Sequence, residues 1–270
     1  ETMKIDLSAL GFRKTPFTRE LAISDRFTLD YQREAAEEIG RTVAQRMSAT
    51  LVAPAGTGKT VTLRLLVSQL PKARYSVRYV KVTGLSKRDL CKEIARACGL
   101  EGAGSYPSLV CRLQEHFQDA AGTDGVRLVI LLDEAHDLRP DSLAMLRLLT
   151  NFDMDSRLVL SLVLAGQPPL QRLLSRPAAE AVAQRMAHAA TLRLLSRDET
   201  RAYMEHRCRV AGAPTTPFDA EAFEAIFEMS RGNLRAIDRL ALKALEEAAK
   251  AKAQTVSPNE VLAARQHLWL

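Results

Sequence analysis

Short apolar runs alternate with longer amphipathic stretches as far as Leu195. The runs at 50–53, 75–82, 128–132 and 158–164 are β-branched or leucine-rich and nearly continuous, the form strands take when a parallel sheet buries both their faces. Helix-like patterns separate them at 61–70, 87–98, 108–120 and 140–151, and 191–194 makes a weaker fifth strand. Such alternation predicts an α/β fold, a parallel sheet flanked by helices. After Leu195 the pattern turns to helices alone. Ser196 with Glu199, Thr216 followed by Pro217 and Asp219, and Ser257 with Pro258 and Glu260 each mark a helix start, and Gly212 and Gly232 fall where helices should stop. Over 233–250, Leu234, Ile237, Ala241, Ala244, Leu245 and Ala248 share one face, which reads as a core-facing stripe. The expected division is an amino-terminal extension and α/β core over 1–195, then a helical domain over 196–270.

At 270 residues the chain has room for about two domains, taking ~150 residues for each. Hydrophobic residues make up 47% and charged residues 26%, which excludes disordered and collagen-like readings. The longest apolar stretches, 128–132 and 158–165, fall far short of the ~20 residues that cross a bilayer. Lys4, Asp6, Arg13 and Lys14 interrupt any apolar segment that a secretory leader would need, so a cytoplasmic location with no membrane partner is expected. Cys91, Cys98, Cys111 and Cys208 show neither C-x-x-C spacing nor a matching histidine pair and read as reduced packing residues. Net charge is +6, from 38 Lys and Arg against 32 Asp and Glu. Charge alone leaves two readings level, a nucleic-acid partner drawn through its phosphates and a merely basic enzyme.

The strongest motif is Ala53-Pro54-Ala55-Gly56-Thr57-Gly58-Lys59-Thr60, which follows a predicted strand and runs into a helix beginning at Val61. It fits the phosphate-loop pattern G-x-x-x-x-G-K-[ST] except that Ala53 replaces the first glycine, a change that keeps the position small. In such a loop the backbone of Pro54, Ala55, Gly56, Thr57, Gly58 and Val61 turns around phosphates at a helix amino terminus. Lys59 reaches the outer phosphates, and the Thr60 hydroxyl holds Mg²⁺. The expected ligands are therefore ATP and Mg²⁺.

A second motif, residues 127–136, is a buried-strand run ending in Asp133-Glu134-Ala135-His136 and resembles a Walker B motif. Asp133 would serve the Mg²⁺ ion, and Glu134, one residue on, would polarise the attacking water. A strand that merely ends in an acidic turn is the plainer alternative. His136 carries no assigned role, since a lone histidine beside a strand end is more often a packing or surface residue.

With these motifs in this order, the chain resembles the AAA+ group that contains ExeA-like ATPases and the transposon target-selection ATPases TnsC, TniB and MuB. Gly11-Phe12-Arg13-Lys14-Thr15-Pro16-Phe17 looks like the opening of the ExeA-like members, and 164–168 and 232–235 look like their later landmarks. The resemblance implies a P-loop AAA+ core and an all-helical lid. It also implies a sensor 1 role for Gln167, with a turn residue before two prolines as the alternative, and a sensor 2 role for Arg235. Arg185 matches the position of an arginine finger that acts on a neighbouring subunit, with Arg172 and Arg176 as competitors and a solvated surface arginine as the alternative.

Secretion members of the group also carry a membrane span and a cell-wall domain, and neither is read in these residues. The expectation is a cytoplasmic ATPase that regulates DNA transposition. It would assemble with copies of itself as a ring or helical filament on double-stranded DNA, select the target, and recruit or stimulate a DDE-type transposase, with a targeting adaptor as a further partner. Hydrolysis would be slow and stimulated by DNA or partner. Lys81, Lys87 and Arg88, with Lys92 beside them, are the candidate DNA contacts, although Ser86 capping a solvated helix explains the same segment. Two alternatives remain, an ATPase acting on protein assembly in secretion and a nucleotide-gated switch with little turnover.

Overall fold

The computed structural model describes residues 6–18, 25, 27–123, 125–152 and 158–268. They form two compact units, Asp30–Leu192 and, separately, Arg193–Leu270 together with the described part of residues 1–29.

The first unit runs α1 (Asp30–Ala44), β1 (Ser48–Val52), α2 (Lys59–Gln69), β2 (Tyr75–Lys81), α3 (Lys87–Ala97), α4 (Tyr106–Thr123), β3 (Arg127–Asp133), α5 (Pro140–Thr150), β4 (Leu160–Gly166), α6 (Pro169–Leu174), α7 (Glu180–Ala183) and β5 (Met186–Thr191). Its strands are all parallel, in the order β2-β3-β4-β1-β5. β3 and β4 lie inside the sheet and are buried almost end to end, which is why they read as unbroken apolar runs. Along β3 the side chains alternate between two cores. Leu128, Ile130 and Leu132 join Leu90, Ile94 and Phe117 in one, while Val129 and Leu131 join Ile39, Leu63 and Val163 in the other.

Two elements differ from expectation. The fifth strand lies at Met186–Thr191 and not at 191–194. Its sequence has a β-branched residue only at its last position, and it becomes a strand by pairing with β1 at the sheet edge, from Ser48 opposite Met186 to Val52 opposite Thr191. α1 has no counterpart among the expected elements, because much of its buried stripe is alanine, Ala35 and Ala36 ahead of Ile39 and Val43.

The second unit contains α8 (Arg197–Val210), α9 (Ala220–Ser230), α10 (Leu234–Lys250) and α11 (Pro258–Gln266). Ser196 with Glu199 and Ser257 with Glu260 form reciprocal capping boxes, and the signal at 216–219 resolves to Asp219, which accepts the Ala222 N–H. Gly232, at φ +75°, passes so close to Leu195 that an added Cβ would meet its carbonyl oxygen at 2.1 Å.

The amino-terminal segment groups with these helices, whereas the sequence expectation placed it with the core. The N–H groups of Arg13 and Lys14 both donate to the Ala211 carbonyl, at 2.9 and 3.0 Å, and buried Phe17 packs edge-on against Phe218. No described helix is long and apolar enough to cross a membrane.

Candidate nucleotide site

The carboxyl ends of the central strands are nearly level. Val52 of β1 pairs with Gly166 of β4, and Lys81 of β2 pairs with Asp133 of β3. Open α/β sheets bind ligands just outside such ends. The phosphate-loop sequence leaves β1 here, passes Gly56 and Gly58 at φ +79° and +90°, and enters α2 at Lys59. Those two angles are left-handed, which favours glycine at both positions.

Thr57 is buried and closes the loop by donating its hydroxyl to the Pro54 carbonyl at 2.8 Å. From α1, the buried Gln32 side-chain amide donates to the Thr57 carbonyl at 3.1 Å. Sequence reasoning missed this brace, since nothing local connects residues 25 positions apart. Val61 begins the α2 ladder by donating to the Gly58 carbonyl at 2.9 Å, and Thr60 is exposed.

The Lys59 ammonium bonds to Asp133 Oδ1 and, at 2.6 Å, to Glu134 Oε1. The structure thus joins the two sequence motifs in one cluster. Asp133 is buried, takes the Glu134 N–H at 2.8 Å, and receives at its other oxygen the Tyr79 hydroxyl at 3.0 Å. Burial and the Asp133 carboxylate push the Tyr79 hydroxyl up to about 12, so it remains a donor. Tyr79 was not among the predicted residues; the signal was its place two residues before the end of the strand that pairs with β3. Glu134 has φ +57°, a strained conformation for a residue with a side chain. It begins the turn at 135–137 that carries His136, whose Nδ1 accepts the Gln167 N–H at 3.3 Å.

These residues fit a nucleotide with Mg²⁺. The loop is glycine-bent where amides must turn inward, and one hydroxyl, Thr60, and one carboxylate, Asp133, are the hard oxygen donors with which proteins share Mg²⁺ with phosphates. When bound, the ion would supply charge neutralisation at the phosphates.

Other predicted residues lie elsewhere. Arg185 immediately precedes β5, so it stands at the amino-terminal edge of the sheet, opposite the strand ends that hold Lys59 and Asp133. Its guanidinium donates to the Ala181 carbonyl at 2.6 Å, and it lines a hollow of about 420 Å³ with Arg46, Met47 and Leu158. Arg172 and Arg176 are exposed on and just after α6. Arg235 belongs to the helical unit, exposed in the first turn of α10, and lines a hollow of about 660 Å³ with Arg231, Arg239 and Arg265. Lys81, Lys87 and Arg88 are all exposed; Lys87 lies over the Tyr106 ring at 5.2 Å and Arg88 donates to the Gly104 carbonyl at 3.0 Å. Lys92 pairs with Asp89 at 3.7 Å.

Residues 42–174, which span the loop, both acids and Gln167, match the AAA domain family. This segment is similar to an AAA domain. Its parallel sheet and flanking helices make the P-loop AAA+ fold, shared with solved structures across nearly the whole chain. The ORC1 protein of Aeropyrum pernix in complex with DNA is similar with a TM-score of 0.71 and 20% identity, over 95% of this chain and 69% of that one. Cdc6p of Pyrobaculum aerophilum is similar with a TM-score of 0.68 and 19% identity, over 98% and 72%. The RuvB Holliday junction branch migration motor of Thermotoga maritima gives 0.61 and 18%, over 92% and 74%.

General secretion pathway protein A of Aeromonas hydrophila is 34% identical over 197 residues, 72% of this chain. The match spans 36% of that protein's length. The AAA-domain match and the AAA+ fold together support a P-loop ATPase core.

Proposed function

We propose that this AAA+ ATPase regulates DNA transposition, assembling head to tail on double-stranded DNA with ATP and presenting the assembly to a DDE-type transposase. The observation that carries the reading is the placement of Arg185 at the end of the sheet opposite its own Lys59, Asp133 and Glu134. An arginine there reaches a phosphate cluster only on another copy, and a contact between opposite ends of like subunits builds a ring where its rotation closes and a helical filament where it does not. Support for DNA comes from the net charge of +6 and from exposed Lys81 at the end of β2 and Lys87 and Arg88 at the start of α3.

In the cycle that follows, the polyphosphate competes for the Lys59 ammonium and releases Asp133 and Glu134 from it. Asp133 and Thr60 would hold the cation, which would neutralise phosphate charge, Glu134 would take the proton of the attacking water, and Gln167 would orient that water. Arg185 from the adjoining copy would offset charge on the transferring phosphoryl group.

Action on protein in secretion is the second reading, favoured by the 34% identity to general secretion pathway protein A. Sedimentation with double-stranded DNA, under ATP, ADP or no nucleotide and at two salt concentrations, separates the two. Large assemblies that need both ATP and DNA and shrink as salt rises are expected, and Glu134→Gln should lengthen their life while reducing turnover at least about 100-fold. A small species indifferent to DNA would defeat the transposition reading and leave the protein-directed one standing.

A further inference from the structure

The end of β4 presses against the turn that follows β3. A Cβ on Gly166 would lie 3.1 Å from the backbone nitrogen of His136 and 3.3 Å from its Nδ1, so a side chain there would press the two segments apart by a few tenths of an ångström. The next residue completes the contact, for the Gln167 N–H donates to that same Nδ1 at 3.3 Å. The imidazole is 14% exposed, and its Nδ1 also stands 3.5 Å from Glu134 Oε2. His136 therefore sits between the two groups assigned to the attacking water, touching one through its backbone and flanking the carboxylate of the other.

One nitrogen lone pair serves one donor. Because Nδ1 accepts from Gln167, the ring proton resides on Nε2, which faces Asp137 Oδ1 at 3.8 Å. An unprotonated Nδ1 offers Glu134 nothing to bond, so the ring acts on that carboxylate as a spacer while Lys59 holds its other oxygen at 2.6 Å. The left-handed backbone of Glu134 and the 135–137 turn after it fix where the ring stands.

We propose that His136 is a positioning residue for hydrolysis, anchoring the Gln167 turn by its backbone N–H so that the Gln167 amide and the Glu134 carboxylate are held at the spacing one water requires. This rests on the ATPase reading of the cluster. The ring acts through its two neighbours, Gln167 and Glu134.

The test compares His136→Ala, His136→Asn and His136→Gln in the full chain. Asparagine puts an oxygen acceptor near the place of Nδ1, whereas glutamine puts it near the place of Nε2. Steady-state hydrolysis gives kcat and KM separately, and direct titration gives affinities for ADP and for a slowly hydrolysed ATP analogue. Alanine and glutamine are expected to lower kcat about 10-fold or more with KM within about 2-fold, while asparagine stays within about 3-fold of the parent. Preference for the triphosphate analogue over ADP should fall about 5-fold in the same two variants, with ADP affinity unchanged.

Gly166→Ala, which presses on the His136 backbone nitrogen, on Leu170 and on the ring while leaving the imidazole in place, should lower kcat in the same direction by a smaller factor. An alanine variant with parental kcat and parental triphosphate preference would overturn the proposal, as would an asparagine variant as impaired as alanine. If the parent hydrolyses no ATP, the ATPase reading fails on its own, and the binding preference still decides whether His136 positions Gln167.

Discussion

Both units bury a basic side chain among acids and hydroxyls, and they do so to opposite ends. In the helical unit Arg207 is 5% exposed, donates to the Tyr203 hydroxyl at 2.7 Å and the Thr18 carbonyl at 2.6 Å, and pairs with Asp238 at 3.4 Å. The rings of Phe17 and Tyr203 lie 5.6 and 5.5 Å from its guanidinium. Burial, and then the Asp238 charge, lift the Tyr203 hydroxyl well above its ordinary range, so it stays protonated. Each partner is a fixed part of the helical unit, and the cluster is a permanent tie for the amino-terminal segment. Lys59 in the other unit is nearly as buried, at 11%, but its partners Asp133 and Glu134 have a second use. Burial and pairing of a charge do not by themselves mark function; the mark is a partner that a ligand can claim.

The largest effect that follows from this contrast is at Lys59. Replacing it with alanine removes the group that exchanges from acids to phosphate, and nucleotide affinity should fall on the order of 10³-fold, about 4 kcal/mol. The free protein should also melt lower, because two carboxylates then face each other without a cation. Titration with a fluorescent nucleotide checks the first and a thermal melt the second. Affinity within a few-fold of the parent would mean that Lys59 is as structural as Arg207.

Arg207→Met is the complementary change, since it keeps the buried stem and deletes the charge. Asp238, the Tyr203 hydroxyl and the Thr18 carbonyl then lose a partner in a dry setting, and the helical unit should lose about 3 kcal/mol of stability. Denaturant unfolding followed by hydrogen exchange in α8 and α10 reads this. Nucleotide binding by the core should hold within about 2-fold, roughly the size of a lost surface contact. A 100-fold loss of nucleotide affinity in the folded variant would erase the distinction between the two clusters.

The contrast also explains what the sequence made legible. The phosphate loop and Asp133-Glu134 are contiguous stretches whose residue types are dictated by their chemistry, so they read directly, as did the capping boxes at Ser196 and Ser257. The apolar runs of β3 and β4 read for the same local reason. What did not read depends on register and packing. Met186–Thr191 is a strand only because β1 lies beside it, and α1 hides its stripe in alanines. Tyr79 meets Asp133, and His136 meets Gln167, only once β2, β3 and β4 are aligned side by side. Phe12 and Phe17 read as a family landmark, yet that Phe17 packs on Phe218 of the helical unit needed coordinates.

The smallest effect tests how far the phosphate loop depends on a residue outside its motif. Gln32 is 1% exposed and gives its amide to the Thr57 carbonyl at 3.1 Å, while the Thr57 hydroxyl closes the loop on Pro54 at 2.8 Å. Gln32→Ala leaves that carbonyl short of a donor in a place water reaches poorly, which costs about 1 to 3 kcal/mol. Most of it should show as lower melting of the nucleotide-free protein. Nucleotide needs the same loop geometry that Gln32 braces, so affinity should also drop about 5-fold, and the nucleotide-bound protein should lose near 1 kcal/mol more than the free protein. Melting curves with and without ATP separate these contributions. An unchanged melting point together with unchanged affinity would mean that the loop is shaped by its glycines and Thr57 alone and that α1 merely covers it.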